Sequence, residues 1–156
     1  MATGSGPPYT SRMTSALYNR DILRLAASIP HHRRLEQPHG SVEKRSPTCG
    51  SRIAVDVVLD EEGRLAGLGQ DVRACALGQA AASLMGAGAL GRSRSELAEA
   101  RDALAAFLAG RREDPGHWAG LEIFRAARPY QARHPSILLA FEAVAEAAAL
   151  AERTRA

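Results

Sequence analysis

The fold of this chain is decided by residues 47–90, which read PTCGSRIAVDVVLDEEGRLAGLGQDVRACALGQAAASLMGAGAL. Residues 52–60 predict a strand, because apolar side chains recur there with a period of two. A turn ending at Gly63 follows, in which glycine supplies the positive φ, and residues 64–73 return as a second strand. This stretch therefore predicts a β-hairpin. The alternating apolar side chains of its first strand are Ile53, Val55, Val57 and Leu59.

The only two cysteines of the chain, Cys49 and Cys75, bracket this hairpin. A three-residue loop pairs Asp60 with Arg64 and places Cys49 opposite Cys75, whereas a two-residue loop places Cys49 opposite Ala76. Directly opposed residues of antiparallel strands have Cα atoms about 4.5–5.5 Å apart. Either register therefore predicts that the two sulfur atoms meet at the open end of the hairpin.

The remaining segments predict mainly helices. Residues 1–14 are rich in Gly, Pro and Ser, which predicts a disordered tail, and residues 15–156 predict one domain. Ser93 and Glu96 form a capping box at one helix start. One helix, three short strands and then helices only indicate an α+β domain, with a small three-stranded antiparallel sheet and helices packed on one face. The predicted helices are 15–28, 75–90, 93–109, 118–127 and 137–153, and the edge strand is 40–46.

Composition restricts the possible functions. The chain has 156 residues, of which 46% are hydrophobic and 24% charged, as in ordinary globular domains. The net charge of +3 comes almost wholly from arginine, and no nucleic-acid motif accompanies it, so we expect no nucleic-acid partner. The sequence has no run of about 18 apolar residues and no apolar leader, so we expect neither a membrane-spanning nor a secreted protein. Two cysteines are too few for a disulfide framework, so we expect a cytoplasmic protein.

The two cysteines carry the predicted chemistry. Cys75 lies at a predicted helix N-terminus, which favours thiolate over thiol, and Cys49 lies in an open Pro-x-Cys-Gly loop. Two thiolates within reach of each other can bind a soft metal, form a disulfide or carry a persulfide. The simpler alternative is a pair of inert buried thiols. A tetrahedral metal site needs at least three protein ligands. The candidates to complete one are Ser51, Ser136 and the histidines, namely His134 before the final helix and His31, His32 and His39 before the hairpin.

A family resemblance rests on these residues. The segment Pro47–Arg52, followed by Ala74-Cys75-Ala76 and an Ala-rich helix, resembles the U-type iron–sulfur cluster scaffold family, the NifU-like N-terminal domains of the SUF-type branch. Leu17-Tyr18 resembles part of the opening helix of that family, and residues 133–139 resemble its late Arg-x-x-Cys-x-x-Leu segment. The resemblance implies a three-stranded sheet with packed helices. It also implies a site of three cysteines and one aspartate for a nascent [2Fe-2S] cluster or zinc.

When the four ligand positions of the family are carried over to this sequence, two of them hold the family's residue, Cys49 and Cys75. Ser51 stands at the aspartate position and Ser136 at the third cysteine position. The Leu-Pro-Pro-Val-Lys motif that the housekeeping branch offers to its chaperone is absent from the sequence. The resemblance implies a cysteine desulfurase and apo iron–sulfur proteins as partners, with the chain acting as a monomer or a homodimer.

Three hypotheses follow. The first is a scaffold-like protein that binds iron or a labile cluster through Cys49 and Cys75, with the ligand set completed by His134, an exogenous thiol or a second subunit. The second is a sulfur-relay protein that accepts a persulfide from a cysteine desulfurase. The third is an interaction module that kept the fold and lost the metal. None is an enzyme, because no general acid–base pair or activated nucleophile can be read from the sequence.

Overall fold

The computed structural model describes residues 18–47 and 50–155. It contains a three-stranded antiparallel sheet of order β1-β2-β3 and four α-helices in the described residues, so the predicted α+β class is confirmed. The predicted tail, residues 1–14, lies outside the described residues, as do Leu17 and Cys49. The elements are α1 (Arg20–Ala26), β1 (Gly40–Arg45), β2 (Arg52–Leu59), β3 (Leu65–Arg73), α2 (Ala76–Gly88), α3 (Arg94–Leu108), two 3-10 helices (Leu121–Ala127 and Gln131–Arg133) and α4 (His134–Arg155).

The hairpin combines the two predicted registers. Its loop has three residues, because the Asp60 N–H donates to the Arg64 carbonyl at 2.8 Å, and Gly63 supplies a φ of +80°. The register then shifts by one residue after Val58. From that bulge to the open end, the ladder follows the numbering expected for the two-residue loop and finishes with Arg52 opposite Arg73. A β-bulge of this kind inserts one residue and changes the register.

Helices cover one face of the sheet. The side chains of β2 that alternate toward them are at most 4% exposed. The long helix α4 crosses β1 and β2 and is itself mostly core. By length and composition alone, the segment Gln131–Thr154 could cross a membrane. A window of 18 residues within it has a mean hydropathy of 1.3, yet 61% of that window is buried inside the fold. Burial of this extent is what a core helix requires.

Gly40 marks the closest approach of β1 to α4. A Cβ at this position would lie 2.5 Å from the Ala147 carbonyl oxygen and 2.9 Å from the Ala151 nitrogen. We therefore expect Gly40→Ala to lower the free energy of unfolding by about 1–3 kcal/mol, although alanine is intrinsically better than glycine in a strand. Denaturant unfolding followed by circular dichroism measures this change.

The comparison variant is Gly67→Ala on β3. Its added methyl group would meet the Val58 side chain at 3.2 Å rather than helix backbone, and a side chain can move aside more easily than a helix. It should therefore cost less stability than Gly40→Ala. Equal losses in the two variants would contradict the close packing of β1 against α4.

The segment between α1 and β1 covers the other face of the sheet. Asp56 on β2 is fully buried there and accepts two hydrogen bonds from the Arg34 guanidinium, at 2.8 and 2.9 Å. The Leu35 N–H and the Ser41 hydroxyl donate to the same carboxylate. At the edge of β3, the Gln70 N–H donates to the His31 carbonyl. The segment between α1 and β1 is thus a cover for the sheet.

The first helix among the described residues starts later than the predicted helix 15–28, of which residues 15–17 lie outside the described residues. It begins at Arg20 rather than at Ser15, because Asn19 is its N-cap and its side chain accepts from the Ile22 N–H at 3.0 Å. Asparagine is among the preferred N-cap residues, since its side-chain oxygen satisfies a free N–H of the first turn. The predicted capping box of Ser93 is confirmed at the start of α3.

Two later boundaries also differ. The final helix begins at His134 rather than at Ile137, because proline is tolerated in the first turn of a helix, where its missing N–H has no partner to lose. The helix predicted from Trp118 is a 3-10 helix that starts at Leu121. It starts there because Gly120, with a φ of +92°, turns the chain immediately before it.

Candidate functional site at the open end of the hairpin

Three elements meet at the open end of the hairpin. Ser51 lies directly before β2 and Ser136 lies in the first turn of α4, and their Oγ atoms are 3.2 Å apart. The first turn of α2 packs on the same place, since a Cβ on Gly78 would lie 3.3 Å from the Ser136 carbonyl oxygen and 3.7 Å from the Ser136 Cβ. The two serine positions implied by the resemblance are therefore adjacent, and the helix that Cys75 opens lies against one of them.

Both serines are buried, with exposed fractions of 3% for Ser51 and 2% for Ser136. A buried hydroxyl needs a hydrogen-bond partner, and each of these serines provides one for the other. A hydroxyl is also a poor metal ligand near neutral pH, because metal ligands must be deprotonated. The pair thus fills, with neutral groups, the space in which the family resemblance implies a carboxylate and a thiolate.

Cys75 is the N-cap residue of α2, with extended backbone angles of φ −66° and ψ 171°. Within the described residues its side chain makes no capping hydrogen bond, and it is partly exposed. Its carbonyl accepts from the Gln79 N–H at 2.9 Å, and the Gln79 side chain donates to the Ala74 carbonyl at 3.0 Å. The backbone at Cys75 is therefore well anchored, and the residue is partly exposed at the start of the helix.

Cys49 lies outside the described residues, so its predicted proximity to Cys75 stays a prediction. The two ends of its loop are described. The Ser46 N–H donates to the Ser51 carbonyl at 2.8 Å, and the Gly50 N–H donates to the Ser46 carbonyl at 3.2 Å. Gly50 has a φ of +72°, which glycine adopts without strain. The connection from β1 to β2 is thus closed by hydrogen bonds next to the serine pair.

His134 serves the backbone in this structure. Its Nε2 lies 2.9 Å from the Ala127 carbonyl oxygen and 3.1 Å from the Arg128 carbonyl oxygen, so it donates its proton to the end of the first 3-10 helix. Two other histidines accept backbone hydrogen bonds, His32 from Val72 and His39 from Leu59. Over residues 18–47 and 50–155, no three His, Cys, Asp or Glu side chains form a group that could hold a metal ion.

The donor set therefore fits a complete metal site poorly. Cys75 offers one thiol, Cys49 adds a second by sequence, and the two nearby hydroxyls contribute little at neutral pH. A four-coordinate site for zinc or an iron–sulfur centre requires two further donors from elsewhere. The sequence offered Ser51 and Ser136 as possible further donors, and the family resemblance placed them at two ligand positions.

Compared by sequence alone, the chain matches no family model and no curated protein. Compared by structure, it resembles an N-terminal NifU-like protein from Brucella abortus with a TM-score of 0.85 and 34% identity, covering 90% of this chain and 98% of that one. A protein assigned as the iron–sulfur cluster assembly scaffold of the SUF system in Fervidobacterium islandicum AW-1 gives a TM-score of 0.79 at 18% identity, covering 86% and 98%. A hypothetical protein gives 0.76 at 23% identity with the same coverage.

The two more distant neighbours show the fold alone, since their identities are 18% and 23%. The Brucella abortus protein shows more, because the identity of 34% extends over 98% of its length. The order of strands and helices agrees with the one that the family resemblance implied. On this evidence the chain belongs to the NifU-like N-terminal domain family.

Proposed function

We propose that this protein is a scaffold-like component of iron–sulfur cluster assembly, and that Cys49 and Cys75 hold iron, a nascent [2Fe-2S] cluster or zinc as its cargo. The observation that carries the proposal is the contact between Ser51 and Ser136, with Oγ atoms 3.2 Å apart. It supports a site at which β2, α2 and α4 meet, in the arrangement that the family resemblance implies. Membership of the NifU-like family supports the same role.

The cargo is held weakly by this chain alone. Two thiolates are fewer than the three protein ligands that even an open zinc site uses. An exogenous thiol or a second copy of the chain completes the set more readily than His134, because His134 must first give up its hydrogen bonds to two carbonyls. Each such bond contributes about 1 kcal/mol to stability. The protein acts as a cytoplasmic carrier rather than an enzyme, receiving sulfur through a cysteine desulfurase and passing its cargo to apo iron–sulfur proteins.

A sulfur relay is the second candidate, and the partial exposure of Cys75 at a helix start favours it. In this reaction the Cys75 thiolate attacks the outer sulfur of a desulfurase persulfide. The S–S bond of the desulfurase breaks, its cysteine leaves as a thiolate, and the outer sulfur with its proton becomes the persulfide of Cys75. This step uses a single thiol and tolerates serine at positions 51 and 136. The third candidate is an interaction module that has lost the metal.

Cys75→Ser tests these functions. We expect the wild type to bind zinc weakly in competition with a chromophoric chelator, and the variant to bind at least about tenfold more weakly, since it loses one of two thiolates. Anaerobic reconstitution with iron and sulfide should give a thiolate-dependent absorption band in the wild type only. Circular dichroism checks that the variant folds, and Ser83→Ala, at a buried serine of α2, is the control substitution.

A further experiment separates the alternative functions. Incubation with a desulfurase and cysteine, followed by mass spectrometry, reveals a sulfur relay if Cys75 gains the mass of one sulfur atom while no cluster forms. A protein that binds neither metal nor sulfur is the interaction module. Cluster formation that survives in Cys75→Ser would contradict the proposed ligand role of this residue.

A further inference from the structure

Three arginines face one another across the three strands of the sheet. Arg45 on β1 pairs with Arg52 on β2, and Arg52 pairs with Arg73 on β3. Directly opposed residues project from the same face, with Cα atoms about 4.5–5.5 Å apart. The three side chains therefore leave the sheet within a row about 10 Å wide. We call these three residues the arginine row; Arg45 and Arg73 are exposed and Arg52 is partly buried.

The arginine row costs the fold stability. Like charges placed directly opposite each other in a sheet are destabilising, and this row holds three in succession. Within residues 18–47 and 50–155, its one ion pair joins Arg52 to Glu43 at 3.3 Å, and that glutamate is itself half exposed. Exposed pairs of this kind contribute little. The row is therefore not explained by the stability of the isolated chain.

Within residues 18–47 and 50–155, the covering segment leaves the two outer members of the row, Arg45 and Arg73, exposed. Arg52 points away from the helices, because its neighbour Ile53 is buried among them and successive side chains alternate between faces. The covering segment packs on Gly69, which lies farther along the sheet opposite Asp56. Between that cover and the row lies a cleft of about 430 Å³, lined in part by Arg34, Arg52, Glu43 and Asp71.

The row is also continuous with the candidate site. Arg52 follows Ser51 directly, Arg73 precedes Cys75 by two residues, and Arg45 precedes the Ser46 that closes the cysteine loop. A partner that contacts the three arginines is thereby held at the end of the sheet where Ser51 and Cys75 lie. The row thus lies at the same end of the sheet as Ser51 and Cys75, on the face opposite to the Ser51–Ser136 contact.

We propose that the arginine row docks an acidic segment of a partner protein. Two carboxylates placed at alternate positions of an extended segment are about 7 Å apart, so both fall within the row, which is about 10 Å wide. The next residues along the same face, Glu43 and Asp71, are acidic and lie opposite Ala54 from either side. They repel a segment that slides past the row and so fix its position. A nucleic acid fits less well. The arginine row and the neighbouring residues Glu43, Ala54 and Asp71 offer no aromatic side chain for stacking, and the two acidic residues repel phosphates.

The test is the affinity for a fluorescein-labelled decapeptide of alternating Glu and Ala, measured by fluorescence anisotropy without metal. We expect the double variant Arg45→Gln/Arg73→Gln to bind about tenfold more weakly than the wild type at low ionic strength. The control Arg111→Gln/Arg153→Gln removes the same charge from exposed helix-end positions and should change the affinity by about twofold or less. Raising the salt concentration should weaken the wild type most, since exposed charges are screened.

Stability gives an independent readout. Removing Arg45 and Arg73 relieves the repulsion in the row, so the variant should be as stable as the wild type or slightly more stable. If the three arginines served only to stabilise the fold, the variant would be less stable than the wild type. Loss of stability in this variant, or equal losses of affinity in the row and control variants, would overturn the proposal. So would a labelled single-stranded oligonucleotide that binds through the row more tightly than the peptide. None of these results depends on metal binding at the cysteines.

Discussion

Arg34→Ala should lower the free energy of unfolding by about 2–3 kcal/mol at pH 7, which makes it the most destabilising charge substitution that we expect. The Asp56 side chain is 1% exposed, and two of the four hydrogen bonds that its carboxylate accepts come from Arg34. Without the guanidinium, a buried carboxylate keeps only the Leu35 N–H and the Ser41 hydroxyl as donors. The loss is smaller than that for a fully buried pair because the Arg34 side chain is 55% exposed.

This loss should depend on pH. Burial of the Asp56 carboxyl raises its pKa, but the hydrogen bonds from Arg34, Ser41 and Leu35 outweigh that effect, and the pKa lies below its usual value. A carboxyl whose pKa is lowered in the folded state contributes stability above its unfolded pKa of about 3.9, and loses it as the pH falls through the folded value. In Arg34→Ala the pKa of Asp56 rises, because the carboxyl stays buried but loses two hydrogen bonds. As the pH falls, the carboxyl of the variant is therefore protonated before that of the wild type. The difference in the free energy of unfolding between the two proteins should then become smaller in acid.

Urea unfolding at pH 7 and at pH 4.5 measures both effects. The matched control is Arg33→Ala, which removes the neighbouring exposed arginine and leaves its backbone carbonyl in place. A surface substitution of this kind changes stability by about 0.5 kcal/mol or less. If the two variants unfold at the same urea concentration at both pH values, the segment that covers the second face of the sheet is not held by the buried carboxylate.

The hairpin and the capping box could be predicted because their signals are local. Alternation of apolar residues along β2 defines the buried face without reference to any other element. The turn at Gly63 and the cap at Ser93 each involve residues at most three or four positions apart. The register toward the open end was harder to predict from the sequence, because a bulge after Val58 shifts it by one residue. The local sequence contains no pattern that predicts this bulge.

The contacts that the sequence did not reveal join residues far apart in the chain. Arg34 and Asp56 are 22 positions apart, and Ser51 and Ser136 are 85 positions apart. An isolated arginine in a polar loop and an isolated aspartate in a strand each satisfy many different patterns. The family resemblance supplied the serine pair, whereas the arginine row required the observed register of all three strands, since a shift of one residue places side chains on opposite faces.

Restoring the two missing ligands should have the largest effect on affinity. We expect Ser51→Asp/Ser136→Cys to bind zinc at least about 100-fold more tightly than the wild type, a gain of about 2.8 kcal/mol. Cys49 and Cys75 would then be joined by a third sulfur and a carboxylate oxygen, a donor set that suits zinc or an iron–sulfur centre. The observed contact between the two serines makes this change plausible, because it places the new donors side by side. Competition with a chromophoric chelator measures the affinity.

Stability supplies a second, opposite signature for the same variant. Without metal, a carboxylate in the buried position of Ser51 is costly, so the variant should unfold more easily than the wild type. With saturating zinc it should become the more stable protein, since a ligand that binds only the folded state stabilises it by mass action. Ser51→Asp/Ser83→Cys is the matched control, because it adds the same carboxylate and a thiol at another buried serine. If the control binds zinc as well as Ser51→Asp/Ser136→Cys does, Ser136 is not part of the site. Tight binding by the wild type would instead reveal an unassigned ligand, and His134→Ala would then be the first variant to examine.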